Sequence, residues 1–185
     1  MKLTNPGAEV FVPDGKSAEE ALSRTTHMGI GTHQDDLEIM AYHGILECFG
    51  SGDKWFTGVT VTNGGGSPRD DLYADYTDED MQNVRRAEQK KAAVVGEYSA
   101  VALLDYSSSA VKDPSNREVI KDIKRLVEAA RPRAVYTHNL TDKHDTHVAV
   151  ALRTIQALRE LPPDSQPGAV SVSYTHLTLP TTPYV

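Results

Sequence analysis

Two rhythms of hydrophobic positions alternate along the chain. Short apolar or alternating runs at His27–Gly31, Trp55–Thr62, Ala100–Leu104 and Arg133–Thr137 each predict a strand, the second also being rich in β-branched residues. Between them the spacing shifts to three and four. Leu37, Met40, Ala41 and Ile45 predict a helix from about Asp36 that Gly50 ends. Thr77 caps a long helix to about Val95, with Asp78, Glu79 and Asp80 favourable in its first turn. Asp113-Pro114 reads as a cap followed by proline at the first helical position. The helix it opens carries Val119, Ile120, Ile123, Leu126 and Val127. A last helix from near Thr146 places Val148, Ala151, Leu152, Ile155 and Leu158 on one side. Ser17 and Glu20 form a capping box for a short leading helix.

Strand followed by helix, four times over, predicts an α/β fold: a Rossmann-like three-layer sandwich with a mostly parallel sheet. In such sheets ligands sit at the carboxyl ends of the strands, so the active site is expected there. The glycine-rich loop from Asn63 and its continuation to about residue 76 form the one long segment without periodicity, and a loop of that length inside a domain is more often functional than accidental.

Composition narrows the classes. The chain has 185 residues, 39% hydrophobic and 24% charged, which suits one domain with a core. With 19 Lys+Arg against 26 Asp+Glu its net charge is −7, unsuited to nonspecific binding of nucleic-acid phosphates. No stretch approaches the roughly 18 consecutive apolar residues of a membrane span. Met1–Lys16 has no basic segment leading into an apolar run, and the single Cys48 excludes an intramolecular disulfide. A cytoplasmic protein is expected. The last charged residue is Asp164, and 171–185 is rich in Thr and Pro. That segment is expected to be a non-native or disordered tail after a single domain over 1–170, itself C-terminally truncated.

Polar residues collect after two of the four strands. His33-Gln34-Asp35-Asp36 follows the first, leaving a strand and opening a helix, so His33 and Asp36 reach one metal ion while Asp35 stays free as a base. After the fourth come His138 and then His144 and His147, whose spacing of three puts both rings on one helix face. One of that pair can ligate while the other faces substrate. His43 is expected packed or on the surface, Cys48 as a small buried hydrophobe, Lys90 and Lys91 on a solvated helix face, and His27 and His176 without a chemical role. His138 is open between supporting the ligands and a purely structural part, and Glu38 between supporting them and starting the helix.

These residues resemble the LmbE/PIG-L-type zinc N-deacetylases. That family's His-Pro-Asp-Asp-x-Glu signature is matched by His33-Gln34-Asp35-Asp36-Leu37-Glu38. Its late histidine stretch is matched by His138 through His147 followed by Val148-Ala149-Val150, and its mid-chain Arg-x-x-Glu by Arg85 and Glu88. Gln34 stands where the family usually has proline, and Asp145 is one position from the family's usual aspartate. The resemblance implies His33, Asp36 and His147 as metal ligands and Asp35 as general base. It implies His144, protonated, as the group that stabilises the oxyanion and returns a proton to the leaving amine, and Arg85 as a substrate contact. It implies Zn2+, with Fe2+ or another divalent metal as alternatives. The substrate implied is a small N-acetylated, sugar-containing molecule, with a homo-oligomer left open and no nucleic-acid or membrane partner.

Other classes fit parts of the pattern. Two histidines and a carboxylate also describe a non-haem iron oxygenase. Another mononuclear metal hydrolase, such as a phosphoesterase, would use similar donors. A nucleotide-binding module would need a glycine pattern that the Asn63 loop lacks.

Overall fold

The computed structural model describes residues 2–173. A six-stranded sheet forms its middle layer. In chain order the strands are β1 (Glu9–Phe11), β2 (His27–Gly31), β3 (Phe56–Thr62), β4 (Ala100–Tyr106), β5 (Ala134–Thr137) and β6 (Ala169–Val172). Their spatial order is β1-β4-β3-β2-β5-β6, with only β1 antiparallel to its neighbour. The helices are α1 (Ala18–Ser23), α2 (Asp36–Met40), α3 (Tyr42–Cys48), α4 (Asp78–Val95), α5 (Ser108–Lys112), α6 (Glu118–Ala130) and α7 (Asp145–Arg159). The expected α/β sandwich with a mostly parallel sheet is the architecture found.

Two apolar clusters cover the two faces. One joins α1, α5, α6 and α7 to Met28, Ile30, Val59, Val61 and Leu104, and the other joins α2, α3 and α4 to Phe56, Val101 and Tyr136. Alternation along β2 explains the division: Met28 and Ile30 face the first cluster, while Gly29 lies towards the second. There Leu37 of α2 packs so close to the sheet that a Cβ on Gly58 would lie 2.6 Å from its side chain. That close approach brings the start of α2, and the functional residues on it, down onto the strand ends.

The chain runs outward from β2 through β3 to β4, then returns to the other side of β2 as β5. The loops leaving β2 and β5 therefore part at the point where strand order reverses, which is where a crevice opens in this class of fold.

Several local expectations change. The helix from Asp36 is broken at Ala41 into α2 and α3. Asp113-Pro114 does not cap a helix: Asp113 accepts the Ser115 N–H in a turn, Asn116 accepts the Glu118 N–H, and α6 begins at Glu118. The buried face of α7 is rotated from the expected one. Leu152 is 51% exposed, whereas Arg153 and Thr154 are buried, Arg153 donating to the carbonyls of Val111 and Asp113 at the end of α5. Lys90 is not simply solvated but pairs with Glu9 at 2.7 Å. β6 takes in residues 171 and 172 of the segment set apart as a tail, pairing Ser171 with Tyr136 and Val172 with Thr137. The rest of that reading, from 174 onward and including His176, lies outside the described residues.

Candidate metal centre and adjoining pocket

β2 ends at Gly31, and the chain turns over its end at once. The Asp36 carboxylate folds back to accept the N–H groups of His33 at 2.6 Å and Thr32 at 3.1 Å, so it is fixed over the strand end by its own loop. On the neighbouring strand, β5 leads through His138 to a loop whose end is the N-terminus of α7. His144 caps that helix, Nδ1 accepting the Thr146 N–H, and His147 follows one turn in.

Two imidazole nitrogens and the two oxygens of one carboxylate meet between these loops. His33 Nδ1 lies 3.2 Å from His147 Nε2 and 3.4 Å from Asp36 Oδ2, and His147 Nε2 lies 3.4 Å from Asp36 Oδ1. Tetrahedral ligands at about 2.0–2.2 Å from a zinc-sized ion stand about 3.3–3.6 Å from one another. Two imidazole nitrogens and a carboxylate at these separations fit one such cation. Burial disfavours an ionised Asp36, but the His138 and His33 imidazoles beside it and the His33 backbone N–H outweigh it and hold the carboxyl far below its ordinary range.

The surroundings orient the donors. Asp142 Oδ2 lies 3.0 Å from His147 Nδ1, while Asp142 Oδ1 accepts the His144 N–H. A carboxylate at Nδ1 places the ring proton there and leaves the Nε2 lone pair turned to the cluster. The His147 ring is stacked between His138 at 4.1 Å and His144 at 4.4 Å. His138, 2% exposed, meets the Thr32 N–H with its Nε2 at 3.0 Å. Although His138 stands within reach of Asp36 and His147, its lone pair is engaged by backbone, so it supports the loop.

Asp35 stands apart from the three donors. Its backbone has φ +125°, a conformation unusual for a side chain other than glycine, and its own helix receives no cap from it. Its carboxylate faces a cavity of about 340 Å³, whose lining includes His33, Ser67, Arg85, Ser108 and His144. Burial raises the Asp35 pKa against the opposing pull of Arg85, whose Nη2 donates to Oδ2 at 2.7 Å. Arg85 also donates to Glu88 at 2.6 Å and to the Gln34 carbonyl. The guanidinium thus borders the cavity, but its hydrogen bonds hold the Asp35 loop. Burial, and then the neighbouring His147 and His33, lower the His144 pKa.

Sequence reasoning missed Asp142. Its only signal is a carboxylate five residues before a histidine in a loop, a spacing that fixes no contact by itself. Asp145, the aspartate in question by position, instead pairs with Lys112 at 2.9 Å. His43 is at the surface, its side chain 86% exposed, and Cys48 is buried. Glu38 does not start its helix alone: it accepts from Tyr98 Oη at 2.8 Å and Gln89 Nε2 at 2.9 Å.

Fold and site together define a doubly wound α/β protein with a histidine–carboxylate cluster at the reversal of strand order. More particularly, the chain belongs to the GlcNAc-PI de-N-acetylase (PIG-L) family, whose pattern matches residues 28–158. Among solved structures it is similar to the N,N'-diacetylchitobiose deacetylase from Pyrococcus horikoshii, with TM-score 0.67 and 20% identity over 83% of this chain and 61% of that one. It is similar to the A40926 pseudoaglycone deacetylase Dbv21, with TM-score 0.55 and 22% identity over 74% of this chain and 60% of that one. It is also similar to GalB, the 4-carboxy-2-hydroxymuconate hydratase from Pseudomonas putida, with TM-score 0.55 and 16% identity over 73% and 55%. The chain thus spans about three fifths of the length of the two deacetylases. A comparison with curated proteins finds no match. A hydratase among these neighbours shows that the fold alone does not choose the reaction. No described helix is long and apolar enough to cross a membrane.

Proposed function

We propose that this protein is a metal-dependent N-deacetylase that releases acetate from a small N-acetylated sugar. The observation that carries the reading is the convergence of His33, Asp36 and His147 at 3.2–3.4 Å, beside a cavity that Asp35 and His144 both line. His33, Asp36 and His147 would hold a divalent cation, and their donors suit Zn2+. The cation, when bound, acidifies a water and draws charge from the acetyl oxygen.

The chain's own groups do the rest. Asp35 Oδ1 takes the proton of the attacking water, while Arg85 holds Oδ2 and so fixes the carboxylate's direction. His144 accepts backbone N–H at Nδ1, so its Nε2 carries the proton. It donates that N–H to the oxygen on which negative charge develops. Asp35 then returns its proton to the departing nitrogen, and the amine and acetate leave. Arg85 acts here through Asp35, a change from the expected direct substrate contact.

Metal analysis of the purified protein, run beside an acetate-release screen over N-acetylated sugars, tests this. One divalent metal per chain and acetate stoichiometric with free amine are expected. Consumption of oxygen with a 2-oxoacid, or release of phosphate from phosphoesters without acetate release, would overturn it.

A further inference from the structure

The helix pair α2–α3 is apolar on two sides. Leu37, Ala41, Ile45 and Cys48 face the sheet and are buried. This inner line runs straight through the break at Ala41, where the Ala41 N–H donates to the Leu37 carbonyl and the Ile45 N–H to the Ala41 carbonyl. The outer side repeats the pattern. Ile39, Tyr42, Leu46 and Phe49 stand three, four and three residues apart, so they share one line on the face turned away from the sheet. They are between 52% and 72% exposed, and no described element covers them. Val95 of α4, also exposed, continues the surface across a groove that it lines together with Tyr42. A surface helix ordinarily turns its polar residues to water, and one that is apolar all round is buried.

The area indicates what buries it. Large apolar side chains present roughly 150–250 Å² each, so at these exposures the four offer on the order of 500 Å². A stable interface covers about 800 Å² on each partner, and about 65% of that is apolar in homodimers. The stripe therefore has the size of the apolar part of one such face.

The spacing is also complementary to itself. Three–four–three reads the same in both directions. A second copy of the helix laid antiparallel sets Ile39 opposite Phe49 of the partner subunit and Tyr42 opposite Leu46 of the partner subunit, and the two-fold axis repeats both pairs. Charge agrees with that direction. His43 and Glu47 flank the stripe on one side, 3.9 Å apart within the chain. Antiparallel helices bring the same flank together in reverse order, so each His43 meets the partner's Glu47. Parallel helices would set Glu47 against its own copy.

We infer that the outer face of α2–α3 is a homodimer interface, in which two copies of this chain lay α3 antiparallel about a two-fold axis. Ile39 follows Asp36 by three residues, so the interface closes over the helix whose start carries the metal loop. The pairing itself depends on neither the metal nor the reaction.

Sedimentation equilibrium of the purified protein, up to about 100 µM, tests the inference. A dimer with a micromolar or tighter dissociation constant is expected. Leu46→Glu and Tyr42→Lys each put a charge into the seam and should weaken association by at least about a hundredfold. Both positions are exposed, so circular dichroism and the denaturant midpoint should match those of the parent chain. Mixed one to one, the two variants should associate again, because the new ammonium at position 42 then lies opposite the new carboxylate at position 46. A parent chain that stays monomeric at the highest concentration would overturn the inference and leave the stripe to another segment or another protein. A dimer that survives Leu46→Glu would place the interface elsewhere and overturn it equally. Variants that stay apart when mixed would overturn the antiparallel pairing.

Discussion

Histidine and acidic side chains gather at both ends of the parallel sheet, and the two gatherings differ in one respect. At the carboxyl end His33 Nδ1 and His147 Nε2 lie 3.2 Å apart, and each stands 3.4 Å from one oxygen of the Asp36 carboxylate. At the amino end His27 is also buried among polar groups, but its partners stand around it. Thr26 Oγ1 at 2.8 Å and Cys48 Sγ at 3.3 Å meet Nδ1, and Glu47 Oε2 at 3.4 Å meets Nε2 on the far side of the ring. The two groups within metal-ligating reach among the described residues, His33 with His144 and His147 and Asp36 with His138 and His147, both lie at the carboxyl end and share His147. Residue types alone would nominate either end. Convergence of lone pairs separates a candidate centre from a satisfied buried histidine, because a cation needs several donors on one side of itself.

The comparison breaks first at His147. His147→Ala removes a donor from the convergent set and is expected to abolish stoichiometric divalent-metal binding, measured by metal analysis after dialysis. A variant that retained one metal per chain would remove the basis for distinguishing the two ends. His144→Ala comes next in size. It takes away an N–H aimed at the cavity but no donor of the convergent set. Turnover should fall by about two orders of magnitude, the ~3 kcal/mol typical of a lost oxyanion donor, with metal content unchanged. Loss of metal in that variant would move His144 into the ligand set.

The carboxyl end was largely legible before any coordinates because its residues occupy the loops that leave predicted strands. An apolar run such as His27–Gly31 locates a strand, and the parallel α/β arrangement places everything after it on one edge. Tertiary satisfaction of polar groups was not legible. Arg153 is buried on α7 because two carbonyls at the end of α5 need donors. No periodicity records that, so the helix face was read one step out. The resemblance that implies Arg85 as a substrate contact carries no sign of its hydrogen bonds to Asp35 and the Gln34 carbonyl, about fifty positions away in sequence. The edge strands β1 and β6, of three and four residues, carry too little pattern to be seen.

Asp142 sharpens the contrast within the carboxyl end itself, since it touches a donor without being one. Asp142→Asn keeps the shape but can offer an amide N–H to His147 Nδ1, turning the ring proton onto the nitrogen that faces the cluster. Metal affinity is expected to fall by about 10–100-fold, the usual cost of losing such a supporting carboxylate, with the fold intact. Competition against a chromophoric chelator reads this directly. An unchanged affinity would mean that stacking between His138 and His144 is enough to orient the ring.

His27→Ala examines the amino end, and its predicted consequence is the smallest. The ring is 7% exposed and satisfies groups on both sides, so its loss should destabilise the fold by about 1–3 kcal/mol, seen as a lower denaturant midpoint. Thr26 and Cys48, 4.0 Å apart, remain as neighbours, and Glu47 keeps its pairing with Lys54 at 2.6 Å, which bounds the damage. Metal content and acetate release per folded molecule should not change, because none of the His27 contacts reaches the loops after β2 and β5. If metal content fell together with stability, β2 would be coupling its two ends, and the amino-end cluster would have to be counted as part of the support for the centre.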